Sequence, residues 1–387
     1  MKTSDIPFDQ LPRDSEPQSH AITQTTSARL DGITSLRFCA AFYVFLFHFD
    51  SRVGTSIPQF IKNIVLNGPI AMPVFFMLSG FILGYRYHDK YKGFNSYYLT
   101  RISRIVPAYI LCVLVSIPLL ADFGSLKDSS YLIGVGFALV LSILIAQAWY
   151  PNLFGFWHFA GTWSISVEMF LYACFPIVRT LSRYSSCTLI LVAIVFVLFS
   201  ASLLPSNKLA FSSDLEFPIF YVIPAYHLPE FVIGFVLSQL YLRHGANRIF
   251  LSAFPTLIIF LGLLGGFNKS YMTLNIVILP LVALTIYGFA SLGSARSSIF
   301  DQLINNPLFI YLGEISYSFF LMQIPIMVWL SHHKDAYQHI STPILFAATL
   351  GTTMLLAMIS YHFVENNGRR LILSLAHKRG YGINKST

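Results

Sequence analysis

Five ionisable side chains of this 387-residue chain stand inside or at the edge of long apolar runs. Charge is costly in such surroundings and is kept there for function or for structural pairing. Arg37 and His48 share the segment RLDGITSLRFCAAFYVFLFHFD. On a helix, eleven steps of ~100° bring His48 to within ~20° of the Arg37 direction, ~16 Å further along the axis. With Arg37 near one membrane face, His48 falls about mid-membrane. An imidazole there can take a proton from a hydroxyl or carry a group itself, because its ordinary pKa of about 6.5 suits either role. A histidine that only hydrogen-bonds inside the bundle reads the same way. Arg101 and Arg104 lie three apart in YYLTRISRIVPAY and so share a helix face. Their fork-shaped donors match phosphate oxygens, although simple anchoring at the membrane edge is the plainer alternative. Glu168 lies in FWHFAGTWSISVEMFLY, near Trp157, His158 and Trp163. A carboxylate so placed orients a histidine, binds a hydroxyl, or ties to a Ser or Tyr.

The elements that must position these groups are membrane helices. Hydrophobic residues make up 55% of the chain and charged residues 11%, against about 25% charged in soluble domains. That excludes a water-soluble body, a disordered chain and a disulfide scaffold. Eleven apolar runs follow one another, near 31–50, 66–85, 104–121, 131–150, 162–178, 187–205, 224–242, 249–266, 271–292, 308–331 and 341–364. Most approach the ~20 residues of a spanning helix, and the alternating decads of a membrane β-barrel are absent. The net charge of +8 is a matter of orientation and anionic ligands rather than of nucleic acid. If all eleven runs cross, Lys and Arg divide 11 inside to 13 outside; if one run among 104–178 does not cross, they divide 18 to 6. The positive-inside rule selects the second arrangement. The expectation is an all-α polytopic bundle of about ten transmembrane helices with one re-entrant element near 131–178. Both termini then face the cytosol. Residues 1–29 read as a flexible cytosolic tail, 30–366 as the membrane domain and 367–387 as a basic tail.

The other local signals read as packing. Ser79-Gly80 in GPIAMPVFFMLSGFIL permits close helix approach. Glu230 and Glu314 read as acids at span starts, satisfied by helix-end electrostatics. Cys39, Cys112, Cys174 and Cys187 show no metal spacing and read as small buried hydrophobes. Walker A, GxGxxG, HExxH and GxSxG patterns are missing.

In order along the chain, LDGITSLRFCAAFYVFLFH, GPIAMPVFFMLSGFIL, RISR, WSISVEMFLY, LPEFVIGF, LGEISYSFFL and HFVEN resemble the motifs of the acyltransferase-3 family of integral membrane acyltransferases. The likeness covers about 30–370. It implies a bundle, usually ten-spanning, that moves an acyl group from acyl-CoA to a hydroxyl, generally on a sugar. Arg37 and His48 then correspond to the first-span pair, Arg101 and Arg104 to the acyl-donor pair, and Glu168 to the essential acid. Two departures stand out. Gln323 occupies the place of a common His, and Asn366-Asn367 follow Glu365 where Glu-x-Pro is common, a change expected to alter only a helix end. No fused hydrolase-type domain is expected.

The sequence therefore points to a sugar O-acyltransferase of the bacterial inner membrane. Its expected donor is acetyl-CoA and its acceptor a carbohydrate or lipid-linked sugar, with no metal and no nucleic acid. His48 and Glu168 are the expected catalytic groups; Arg37, Arg101 and Arg104 are the expected donor-binding groups. The rival class is a proton-coupled transporter or flippase of a lipid-linked sugar, which would use the same residues. A non-catalytic scaffold fits them poorly.

Overall fold

The computed structural model describes residues 30–120, 129–150, 159–183, 185–202, 222–246, 261–262, 265–266, 275–292, 302, 304 and 306–379. The expected N-terminal tail, most of the run at 249–266, and Trp157 and His158 lie outside them. The apolar runs fold as α1 (Asp31–Val53), α2 (Gln59–Leu66), α3 (Ala71–Arg86), α4 (Phe94–Leu120), α5 (Ser129–Ile143), α6 (Phe159–Ser182), α7 (Ser186–Ser202), α8 (Leu228–His244), α9 (Asn275–Ser291), α10 (Pro307–His332) and α11 (Thr342–Ile359). A basic helix, α12 (Asn366–Lys378), follows. Among the described residues six helices are long and apolar enough to cross a membrane, and shorter apolar helices join them. The chain is thus an all-α membrane bundle.

Helix directions follow from which residues meet. The rings of Phe76 and Trp163 lie 6.2 Å apart, Ser79 bonds Glu168 and Tyr87 meets Phe175, so α3 and α6 run parallel. Tyr317 bonds the carbonyl of Ile105 and Cys112 that of Leu321, so α4 runs parallel to α10. Gly161 of α6 sits against Ile324, while Glu168 shares a cavity with Ser316. That makes α6 antiparallel to α10 and therefore to α4. The element between α4 and α6 cannot be a full crossing. α5 has 15 residues, about 22 Å at 1.5 Å each, short of a ~30 Å hydrocarbon core. Its end is tied inside the bundle, where Tyr109 donates to the Ser142 carbonyl at 2.9 Å. The chain then reverses at Ile145, whose φ is 53°, and Gln147 donates to the Thr162 carbonyl at 2.9 Å. α5 and this turn lie where the re-entrant element is expected, and the turn at Ile145, Gln147 and Ala148 is buried against the bundle.

The tightest seam joins α3 and α8, which also run parallel. A Cβ on Gly80 would lie 2.0 Å from the Phe231 carbonyl oxygen, and one on Gly234 would lie 1.9 Å from that of Met77. Lipid supplies no hydrophobic drive between helices, so close backbone approach through small residues supplies the contact. The same physics explains a departure from the sequence reading of the cysteines. Cys112 is buried, but Cys187 is exposed and Cys39 opens onto an apolar groove lined also by Ile64, Val74 and Val282; apolar surroundings cost such a side chain little.

Two helix ends differ from expectation. Glu314 is not at a span start: α10 begins at Pro307, capped by Asn306, whose side chain accepts from the Leu308 N–H at 2.8 Å. Nor does the helix end after Glu365. With Asn rather than Pro at 367, no N–H is lost, and the chain continues through a π-type segment, Ser360–Glu365, into α12. Residues 367–378 of the basic segment are therefore helical, and α12 rests on α4 with Gly368 against Pro107.

Candidate active site

Four of the five sequence-selected residues meet at one cavity with about 60 Å³ of room. α1 contributes Arg37, α4 contributes Arg101 and Arg104, and α6 contributes Glu168. Residues of α3 and α10, among them Ser79, Phe76, Tyr317 and Phe320, complete the wall.

Arg101 is 2% exposed. Its Nη2 donates to the Tyr87 hydroxyl at 3.3 Å. Its guanidinium lies over the rings of Tyr87 and Tyr172, 5.5 and 5.7 Å from their centroids. Such cation–π contacts hold a buried cation without neutralising it. The Arg101 Nε is buried and has no hydrogen-bond partner. Among the described residues no carboxylate comes within 4 Å of Arg37, Arg101 or Arg104. Buried charges are ordinarily paired. Three guanidiniums gathered without a carboxylate within 4 Å among the described residues make a site that fits an anion, and the unmet Nε shows donor capacity left over.

Glu168 does not serve as that partner. Its Oε1 accepts from the Tyr172 hydroxyl, one helical turn on, and from Ser79 Oγ at 3.4 Å. The tie to Ser and Tyr is real, yet the carboxylate still borders the arginine cavity. Ser79, read as a packing residue, has this second role beside Gly80.

His48 is not brought to the cavity. It lies 17 residues into the 23-residue α1, about 26 Å from the start at 1.5 Å per residue. That places it in the far third of the helix. It is partly buried beside Phe47, with Arg52 as its charged neighbour. Among the described residues no hydrogen bond joins it to Glu168.

Sequence reasoning missed several groups. His227 and Glu230, 4–5% exposed, face each other at 3.4 Å. The His227 ring contacts Phe76 at 4.5 Å and Trp163 at 5.7 Å, centroid to centroid. Helix-end electrostatics does apply to Glu230, in the first turn of α8, but its partner is visible only in the fold. Both side-chain polar atoms of Gln323 are buried without a partner. Glu365 is buried and accepts from Ser318 at 2.7 Å. Arg86 and Arg369 are electrostatic neighbours of Arg101 and Arg104. The basic charge near α12 was legible; its arrival beside α4 was not.

Comparison with known proteins identifies the family. A family model described as an acyltransferase domain, acyltransferase-3, matches residues 30–362. Acyltransferase MdmB of Streptomyces mycarofaciens is 30% identical over 249 residues, 57% of this chain and 59% of that protein. O-acetyltransferase OatA of Staphylococcus aureus is 21% identical over 374 residues, 88% of this chain and 57% of that protein. The chain thus spans less than three-fifths of the length of these curated relatives. No solved structure matches it. An all-α membrane bundle matched by the family model over most of its length, the chain belongs to the acyltransferase-3 family.

Proposed function

We propose that this chain is an integral membrane O-acyltransferase that moves an acetyl group from acetyl-CoA to a hydroxyl of a carbohydrate, such as an exopolysaccharide or lipopolysaccharide unit. We place it in the inner membrane with both termini in the cytosol. The observation that carries this reading is the arginine cavity: three guanidiniums, Arg101 buried and Arg37 and Arg104 partly buried, with no carboxylate within 4 Å among the described residues. The names of the relatives, an acyltransferase and an O-acetyltransferase, support the reaction class.

Bound acetyl-CoA supplies an acyl group activated as a thioester. Arg101 and Arg104 hold its diphosphate through charge-assisted, fork-shaped hydrogen bonds. Tyr87 and Tyr172 fix the Arg101 guanidinium in place. Arg37, on α1, directs the donor along the helix face that also carries His48. His48 accepts the proton of the acceptor hydroxyl and returns it to the leaving thiolate. Glu168, anchored by Ser79 and Tyr172, holds the cavity wall beside the arginines.

Calorimetric titration of the detergent-purified protein with acetyl-CoA tests the donor site. A charge-assisted contact is worth roughly 1.5–3 kcal/mol, so Arg101→Ala and Arg104→Ala should each weaken binding about 10- to 150-fold. Lys at either position should restore part of the affinity, since it keeps the charge and loses the fork. Wild-type affinity in the double alanine variant would refute the donor assignment.

A further inference from the structure

Two buried polar side chains on facing helices have no hydrogen-bond partner: Ser164 of α6, at its Oγ, and Gln323 of α10, at both atoms of its amide. Ser164 is 5% exposed and Gln323 0%. Buried polar groups are ordinarily satisfied, and one left unmet points to a task other than stability. Ser164 lines the arginine cavity. Gln323 continues the row of α10 that lines it with Ser316 and Phe320. Seven steps of ~100° bring Gln323 to within ~20° of the Ser316 direction, about one turn past Phe320.

The packing of α6 on α10 brings the two groups to one depth. A Cβ on Gly161 would lie 2.6 Å from Cγ1 of Ile324. The helices are antiparallel, so three residues onward from Gly161 and one residue back from Ile324 lead the same way. Ser164 and Gln323 thus differ by only ~3 Å in depth at 1.5 Å per residue. This is the end of the cavity away from Arg101. The Arg101 guanidinium lies over Tyr172, eight residues and ~12 Å along α6 from Ser164. α1 runs parallel to α10, with Gly313 against the Thr34 carbonyl and Phe319 against both Phe38 and Phe45. That register sets Arg37 level with Ser316, and His48 about one turn past Gln323.

An N–H and an O–H, both unmet and both held in a water-poor core, suit an oxygen that gains negative charge during reaction. Whichever way the amide is turned, it keeps an N–H to give. We infer that Gln323 Nε2 and Ser164 Oγ form the oxyanion site of acyl transfer, a catalytic role for two residues outside the sequence-selected five. This role rests on the acetyl-CoA reading above and locates the acyl end of that donor. The acceptor hydroxyl oxygen bonds to the acetyl carbon as its proton passes to His48. The C=O electron pair moves onto the carbonyl oxygen, which the two donors hold. Its return re-forms C=O and breaks the C–S bond, and the departing thiolate takes the proton from His48. An ester and free CoA thiol result.

The experiment separates rate from donor affinity and from folding. Native membranes carrying each variant at matched expression receive acetyl-CoA labelled in the acetyl group; label in the glycan fraction and free CoA thiol are followed. Calorimetry and thermal unfolding of the full chain in detergent give acetyl-CoA affinity and stability. Gln323→Met keeps the side-chain length and removes the N–H; Ser164→Ala removes the O–H. Each should lower the transfer rate about 10²- to 10³-fold, with acetyl-CoA affinity at the wild-type level, because the oxyanion exists only in the transition state. Gln323→Met should melt at or above the wild-type temperature, since it removes an unmet buried amide. Gln323→His, which retains an N–H, should keep part of the rate; Gln323→Leu serves if the Met variant folds poorly. A wild-type rate in either single variant, or acetyl-CoA affinity lost in step with the rate, overturns the oxyanion site and leaves the donor reading standing. Wild type that neither binds acetyl-CoA nor releases its thiol overturns both.

Discussion

The arginines differ from one another mainly in what surrounds them. Arg101 is enclosed by tyrosines: Tyr87 and Tyr172 offer ring faces, and Tyr87 accepts a hydrogen bond. A carboxylate in their place would neutralise the guanidinium; phenol rings leave its charge available to an incoming anion. Tyr172 has a second partner, since its hydroxyl also binds Glu168. One residue of α6 thereby sets the position of both the cation and the acid. His48 stands apart from this group, and its role is testable by itself. His48→Gln keeps an amide that can hydrogen-bond but cannot accept the proton. Transfer of acetyl to the native glycan should fall by about 10²- to 10⁴-fold, with acetyl-CoA affinity at the wild-type level because the donor contacts lie on α4. Mass spectrometry of surface glycans and calorimetry measure the two quantities. Normal acetylation in His48→Gln cells at matched expression would make His48 structural.

At the level of elements, the site depends on α3 lying close to α8 and α6 at once. Gly80 and Gly234 admit the backbone contact with α8, while Ser79, the adjacent residue, bonds Glu168 of α6. Gly80→Ala places a methyl 2.0 Å from the Phe231 oxygen, a clash with backbone that no rotamer relieves. Overpacking of this kind costs about 1–3 kcal/mol, and the displacement of α3 should loosen Ser79 from Glu168. Gly351 on α11 is the control: nothing lies within 4 Å of its Cβ position, so Gly351→Ala should be neutral or stabilising by up to about 1 kcal/mol. Thermal unfolding in detergent distinguishes the two, and equal stability of both variants would remove the α3–α8 seam from the account. α5 shows the same dependence on neighbours in another form. Its 15 residues are as apolar as those of a spanning helix, and the bonds from Tyr109 and Gln147 tie its turn into the bundle.

Taken whole, the bundle has a defined sidedness. α1 and α11 run in opposite directions, so the described chain starts and ends on one side, with the α3–α4 connection on that side as well. In a background without native cysteines, Lys90→Cys and Arg379→Cys should be labelled by a membrane-impermeant maleimide from the cytosolic side, and Ser56→Cys from the other side. Labelling of residues 90 and 379 from opposite sides would break the topology derived from the helix contacts. Much of this molecule could be read without a fold. Membrane class, helix content, the positive-inside bias and the shared face of Arg37 and His48 are properties of composition and of spacing along a single helix, and these are local. The re-entry of α5 was legible only as a charge imbalance. The tertiary structure decided which distant residues meet: Arg37 with Arg101, Arg104 and Glu168, Tyr172 with both Arg101 and Glu168, and Arg369 with α4. It also decided that His48 stays outside that cavity and that His227 faces Glu230 beneath Phe76. Hydropathy is nearly uniform around helices in lipid, so it carries little information about which faces pair. Small-residue contacts, buried hydrogen bonds and shape choose the partners, and those terms act only once the helices stand side by side.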